Sequence, residues 1–134
     1  MMKNCIILRA APNAGKSTVA KMLVGDAGII CEADEFMYVK GEYKFAPNKL
    51  GIAHSKCFEK FCKACDAETE TVVLANTNTT AKEYSKYQTY AEEHGYKVFF
   101  LVVEKRHDGV NDHDVPEDKI AEMATRLLGN IKLH

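Results

Sequence analysis

The sequence predicts an α/β fold in which about four parallel strands are flanked by helices. The first observation is an alternation along the 134 residues: short apolar segments are separated by longer segments whose apolar residues recur at helical spacing. The second is that turns rich in Gly, Asn, Thr and acidic residues follow the apolar segments. In a parallel sheet, such turns gather at the carboxyl ends of the strands. The length predicts a single domain, residues 1–134.

The strands are predicted at residues 4–9, 28–31, 71–75 and 97–103. The first is apolar and leads into a turn with Pro12 and Asn13, which is typical of a buried parallel strand.

Helices are predicted at residues 16–24, from Pro47 to about residue 65, at residues 81–94 and from Pro116 to about residue 128. Gly25 ends the first helix. Thr80 caps the start of the helix at residues 81–94, and Gly95 ends it. The stretch 37–47 is aromatic and basic, and it predicts no regular element.

Composition disfavours several classes of protein. The chain is 46% hydrophobic and 28% charged with a net charge of −1, which argues against a broadly basic nucleic-acid coat protein. The longest apolar run is too short to span a bilayer, and the N-terminus lacks a signal-peptide layout, so we expect a cytoplasmic protein. The 5 cysteines are an odd number, and in a reducing compartment they are predicted to be free thiols. Cys62 and Cys65 lack the second pair that a zinc site needs.

The turn between the first strand and the first helix carries a phosphate-binding motif. The pattern G-x-x-x-x-G-K-[ST] fits residues 10–17 at every position except the first, which is Ala10. The pattern surrounds anionic oxygens with backbone N–H groups and a helix N-terminus. The predicted nucleotide-binding residues are Asn13, Ala14, Gly15, Lys16, Ser17 and Thr18.

This motif predicts ATP and Mg²⁺ as cofactors and the three-layer sandwich of the P-loop NTPases. Lys16 is expected to reach the β and γ phosphates, and the Ser17 hydroxyl is expected to ligate Mg²⁺. A methyl group at Ala10 would force a different backbone path if that position needs a positive φ. Asn13 tolerates such a conformation better than most residues.

Other motifs favour the kinases among P-loop proteins. There is no D-x-x-G, Asn48-Lys49-Leu50-Gly51 lacks the aspartate that reads guanine, and no acidic residue ends the strand before Asn76. Asp34 follows the second strand, and a polar loop at about residues 104–114 resembles a lid. We expect the phosphate loop, the Asp34 segment, the segment 76–78 and the lid around Arg106 to converge at one edge of the sheet.

Several segments together resemble the small P-loop kinases related to bacteriophage polynucleotide 5′-hydroxyl kinase. The resemblance covers nearly the whole chain in order, and T-N-T-T and E-H-G-Y-K-V are its most specific parts beyond the phosphate loop. The segments that carry it are 8–18, 32–36, 41–45, 50–54, 76–80, 93–98 and 115–116.

The resemblance implies roles for individual residues. Asp34 takes the place of the general base that acts on the attacking hydroxyl. Thr77, with Asn76 and Asn78 beside it, takes the place of the polar groups that contact the acceptor, although Thr77 and Asn78 are also residue types that cap a helix.

The lid and the acceptor site depart in part from the pattern of that family. Arg106 matches one transition-state arginine of the lid, whereas the second falls on Val110. An acceptor-binding arginine is replaced by Met37. The first functional hypothesis is therefore an ATP- and Mg²⁺-dependent kinase that acts on a hydroxyl of a nucleic-acid 5′ end. A kinase of a small molecule such as a sugar or nucleoside, and a nucleotide-binding module with weakened or lost catalysis, remain open.

Overall fold

The computed structural model describes residues 2–44, 46–104 and 115–131. All the predicted strands and helices are present, and short 3₁₀ turns lie at Ala33–Met37 and Pro47–Lys49. The elements in chain order are β1 (Asn4–Arg9), α1 (Lys16–Val24), β2 (Ile29–Cys31), β3 (Tyr38–Val39), β4 (Glu42–Tyr43), α2 (Leu50–Asp66), β5 (Thr71–Leu74), α3 (Ala81–Glu93), β6 (Lys97–Val102) and α4 (Glu117–Leu128).

Four of the strands form a parallel sheet in the order β2-β5-β1-β6, which confirms the predicted fold class. Asn4 of β1 lies opposite Thr71 of β5 on one side and Lys97 of β6 on the other. Because β1 has a neighbour on both sides, its carboxyl end and the turn that follows it lie in the middle of the sheet.

Helices cover both faces of the sheet and enclose two separate cores. Ile7 of β1 belongs to a core that contains Phe61 of α2 and Tyr87 of α3, whereas the next residue, Leu8, belongs to a core that contains Ala20 of α1. Successive side chains of a strand point to opposite faces, so β1, β2 and β5 each contribute to both cores. The result is the predicted three-layer arrangement.

The strand with the longest apolar run, β6, is an edge strand. Phe99 of β6 is 52% exposed, and Phe100, Leu101 and Val102 are also exposed. Only β1 pairs with β6 in the described part of the sheet. The apolar composition of β6 does not indicate this exposure, which depends on what packs against the strand.

The stretch 37–47, for which no regular element was predicted, contains a small hairpin. Tyr38 lies opposite Tyr43, and β3 is joined to β4 by Lys40 and Gly41, with φ of 52° and 82°. Positive φ at both residues is the requirement of a two-residue type I′ turn. Pro47 was expected to begin the second helix, but it begins the 3₁₀ turn that precedes α2.

The cysteines are free thiols, as predicted. Burial raises the pKa of Cys5, Cys31 and Cys65 to about 12, so these thiols stay protonated near neutral pH. Within the described ranges no three His, Cys, Asp or Glu side chains are grouped as a metal site would require. Among the same residues, no helix has both the length and the apolar character needed to cross a bilayer.

Candidate functional site

The phosphate loop lies between the end of β1 and the start of α1. Asn13 has a φ of 63° and Gly15, which precedes the first residue of α1, has a φ of 102°, so both adopt the left-handed conformation. No side chain caps the N-terminus of α1 in the described structure. The first N–H groups of a helix have no partner within the helix, and an anion can bind to them.

Ala10 fits this loop without a change of backbone path. It is fully buried, its N–H donates to the carbonyl oxygen of Thr77 at 2.9 Å, and it is not among the residues with positive φ. The position therefore does not need the conformational freedom of glycine. The hydrogen bond also joins the loop after β1 to the loop after β5.

Lys16 lies half-buried in the first turn of α1, close to the carboxylates of Asp34 and Glu32. Burial lowers the pKa of the Lys16 ammonium group, and the negative charges of Asp34 and Glu32 oppose this effect. The structure thus brings the phosphate-loop cation and the predicted general base together at the same edge of the sheet.

Ser17 and Thr18 are exposed at the start of α1. The Ser17 hydroxyl donates a hydrogen bond to Oε2 of Glu32 at 3.2 Å. A hydroxyl oxygen and a carboxylate are the hard oxygen donors that Mg²⁺ prefers, so these residues fit the cation that a P-loop nucleotide carries. Sequence reasoning assigned no role to Glu32, although it lies two residues before Asp34.

The backbone before Asp34 is fixed by the end of β5. The side-chain oxygen of Asn76 accepts a hydrogen bond from the N–H of Ala33 at 2.8 Å, and Asn76 is almost fully buried. Asp34 follows in the 3₁₀ turn, and the carboxylate of Glu35 pairs with Lys60 at 2.8 Å. The two adjacent acids therefore have different surroundings, and Asp34 is the one whose charge affects Lys16.

The loop after β5 holds the two residues predicted to contact an acceptor. The Thr77 hydroxyl donates to Oε1 of Glu83 at 3.2 Å. Asn78 is 1% exposed and has a φ of 47°, and its amide donates to the carbonyl oxygens of Leu8 and Asn76 at 2.8 and 3.2 Å. These contacts give Asn78 a part in shaping the loop, and substrate contact by either side chain stays a prediction.

The predicted cap of α3 is present. The Thr80 N–H donates to Oε2 of Glu83 at 3.2 Å, as in a capping box.

The remaining predicted positions lie in different environments. Arg106 and Val110 lie outside the described residues, as does most of the predicted lid. Met37 is buried in the core that contains α2. His54 lies at the surface of α2. Partial burial of its ring and the positive charge of Lys86 lower the pKa of His54.

Arg9 is a buried cation that sequence reasoning treated only as the end of the first strand. It is 6% exposed, and its guanidinium donates to the carbonyl oxygens of Asn78 at 2.8 Å and Thr79 at 3.0 Å. It also lies over the ring of Tyr84, 5.1 Å from the centroid. Arg9 therefore ties the end of the central strand to the loop that bears the predicted acceptor residues. An arginine directly before a phosphate loop, at the end of a buried strand, was the available signal.

Replacing Arg9 with methionine is expected to lower the free energy of unfolding by about 2–4 kcal/mol, because the buried carbonyl groups of Asn78 and Thr79 lose a charged donor. Urea denaturation measures the change as a lower midpoint. The control is Arg126→Met, because the Arg126 side chain is 39% exposed and makes only longer contacts, with Glu122 at 3.4 Å and with the Thr79 hydroxyl at 3.5 Å. The control should lose less than about 1 kcal/mol. Equal losses in both variants would argue against a special role for Arg9.

Solved structures with a similar fold include an APS kinase and a protein bound to ADP-AlF3. The chain matches a chain in the structure of the Pnkp1/Rnl/Hen1 complex with a TM-score of 0.60 and 18% identity, over 90% of this chain and 38% of that one. It matches Chaetomium thermophilum Kti12, solved in complex with ADP-AlF3, with a TM-score of 0.60 and 12% identity, over 91% and 79% of the two chains. It matches the Mycobacterium tuberculosis APS kinase CysC, as a Cys556Ala mutant, with a TM-score of 0.52 and 14% identity, over 96% of each chain.

At these identities the likeness shows the fold, which is that of the P-loop NTPase kinases. In sequence, the chain is similar to NEDD4-binding protein 2 of Homo sapiens, at 31% identity over 127 residues. The match covers 88% of this chain, and the chain spans 7% of the length of that relative. No model of a protein family matches the sequence. A closer relation to the bacteriophage kinases stays a prediction.

Proposed function

We propose that this chain is an ATP- and Mg²⁺-dependent kinase whose acceptor is the 5′-hydroxyl of a polynucleotide. The observation that carries the proposal is the meeting of Lys16, Ser17 and Asp34 at one edge of the sheet, where the charge of Asp34 influences the pKa of Lys16. Phosphoryl transfer needs a cradle for the phosphates, neutralisation of charge and a group that orients the attacking hydroxyl. These three residues and the N-terminus of α1 supply that set.

Each residue then has a defined task in the transfer. The Asp34 carboxylate takes the proton of the acceptor hydroxyl as its oxygen bonds to the γ-phosphorus, and the bond from that phosphorus to the ADP oxygen breaks. The Lys16 ammonium and the first N–H groups of α1 stabilise the negative charge on the phosphate oxygens. Bound Mg²⁺ would supply further neutralisation of the phosphates, and Ser17 is the residue placed to ligate it.

A surface cavity lined in part by the 3₁₀ turn that carries Asp34 favours a polynucleotide over a small acceptor. Phe36 and Tyr38 lie with Lys44, Lys49 and Lys56 around a surface cavity of about 280 Å³. Aromatic rings that stack on bases and lysines that contact phosphates are the groups by which proteins bind single-stranded nucleic acids. A sugar or a free nucleoside has no chain of phosphates that would use the three lysines.

Purified protein with γ-labelled ATP tests this proposal. We expect label to pass to an oligonucleotide with a 5′-hydroxyl and not to the same oligonucleotide with a 5′-phosphate. Transfer only to nucleosides or sugars would replace the proposed acceptor with a small molecule. ATP binding without transfer to any acceptor would instead indicate a nucleotide-binding module without catalysis.

A further inference from the structure

The carboxylate that contacts the Ser17 hydroxyl follows β2 and not β5, the strand next to β1. In many P-loop NTPases an aspartate at a strand end acts with the P-loop Ser or Thr to hold the metal ion. The end of β5, next to β1 in the sheet, carries Asn76 instead, and the Asn76 side chain is committed to the N–H of Ala33. The carboxylate that contacts the Ser17 hydroxyl belongs to Glu32, which directly follows β2.

The alternation of side chains along β2 explains this placement. Ile30 packs in the core that contains Ala20 of α1, and Cys31 belongs to the core on the opposite face of the sheet. Glu32 has extended backbone angles, with φ of −145° and ψ of 140°, so its side chain lies on the same face as Ile30. That face is the one covered by α1, which brings the carboxylate to the first turn of the helix.

The charges around Glu32 favour a cation at this point. Glu32 is half-buried, and Asp34 lies close enough to add its negative charge, with Lys16 as the nearby cation. A nucleoside triphosphate would bring several more negative charges to the same place. Two carboxylates beside bound phosphates repel them unless a divalent cation lies between.

We infer that Glu32 is a positioning residue for the nucleotide's magnesium ion and replaces the acidic residue that is absent from the end of β5. The inference rests on the proposed function, since it assumes that ATP binds with its metal at this loop. Glu32 accepts a hydrogen bond from the Ser17 hydroxyl, so the lone pairs of that oxygen remain available to a cation. The negative charge of the carboxylate favours binding of ATP together with its metal ion over binding of ATP without the ion.

The variant Glu32→Gln tests the inference by binding and not by catalysis. Glutamine keeps an acceptor for the Ser17 hydroxyl and removes only the charge. We expect ATP affinity in the presence of Mg²⁺ to fall about tenfold or more, the range found when groups around a metal site are removed. In EDTA the affinity should stay the same or rise, because a repulsive charge has been removed. Electron paramagnetic resonance with Mn²⁺ and ATP should show the same loss of metal binding.

The matched control is Glu35→Gln, which changes the net charge equally three residues away. The Glu35 carboxylate is held by Lys60, so we expect unchanged Mn²⁺ binding. The double variant that combines Glu32→Gln with Ser17→Ala should lose less ATP affinity in Mg²⁺ than the sum of the two single losses in free energy, because both side chains would act on one ion. An equal change of ATP affinity in Mg²⁺ and in EDTA would overturn the inference alone. Failure of the unaltered chain to bind ATP would overturn the proposed function itself.

Discussion

Replacing Lys16 with methionine is expected to lower ATP affinity about 30- to 700-fold. Losing one partner of a half-buried charge pair costs about 2–4 kcal/mol, and each 1.4 kcal/mol is a factor of ten in affinity. The reason is the position of the ammonium group, which is half-buried beside the uncapped N-terminus of α1. Methionine keeps most of the length and the apolar stem of lysine, so the change removes charge more than packing. Titration calorimetry with ATP and Mg²⁺ measures the effect.

The same helix offers a matched control. Lys21 lies exposed in the last turn of α1, at the end remote from the phosphate loop. Lys21→Met should keep the affinity of the unaltered chain while changing the net charge by the same amount. If both variants lost affinity equally, long-range charge and not the phosphate loop would hold the nucleotide. Full ATP affinity in Lys16→Met would show that the phosphate loop does not bind the nucleotide through Lys16.

The elements next to the phosphate loop could be predicted because their signals are local. β1 and α1 have the predicted bounds, Asn4–Arg9 and Lys16–Val24. An apolar run, a turn with residues that tolerate positive φ and a terminal Gly25 lie next to each other in the sequence, so no distant contact was needed to read them. The left-handed conformation of Asn13 was anticipated for the same reason.

The contacts that organise the site could not be predicted, because they depend on the order of the strands. The alternation of strands and helices does not say that β5 lies between β2 and β1. That order lets Asn76 fix the backbone before Asp34 and lets Arg9 reach the loop of Asn78. Arg9 and Asn78 are 69 residues apart, and no local pattern indicates their contact.

Burial on the sheet was also hidden from the sequence. β6 has the longest apolar run among the strands, but it lies at an edge of the sheet and most of its side chains are exposed. In the same way, Lys40-Gly41 was not recognised as a hairpin turn, since lysine is not a residue that favours positive φ. Composition alone therefore predicted neither the exposure of β6 nor the hairpin turn.

The substitution Asp34→Asn is expected to lower the rate of phosphate transfer about 10²- to 10⁴-fold, the usual contribution of a general base. Asparagine has the same shape as aspartate but cannot accept the proton of the attacking hydroxyl. ATP affinity should be kept, because Lys16 and the N–H groups of α1 remain in place. Initial rates at saturating ATP, measured with a labelled γ-phosphate and a 5′-hydroxyl oligonucleotide, separate the two effects.

The adjacent acid provides the comparison that makes this result specific. Glu35 differs from Asp34 by one position in the 3₁₀ turn, but its carboxylate pairs with Lys60 at 2.8 Å. Glu35→Gln should therefore keep its transfer rate, whereas Asp34→Asn should not. If the rate of Asp34→Asn equalled that of the unaltered chain, proton removal by this carboxylate would be excluded. Loss in both variants would mean that the turn after β2 needs its total negative charge, and not one base at one place.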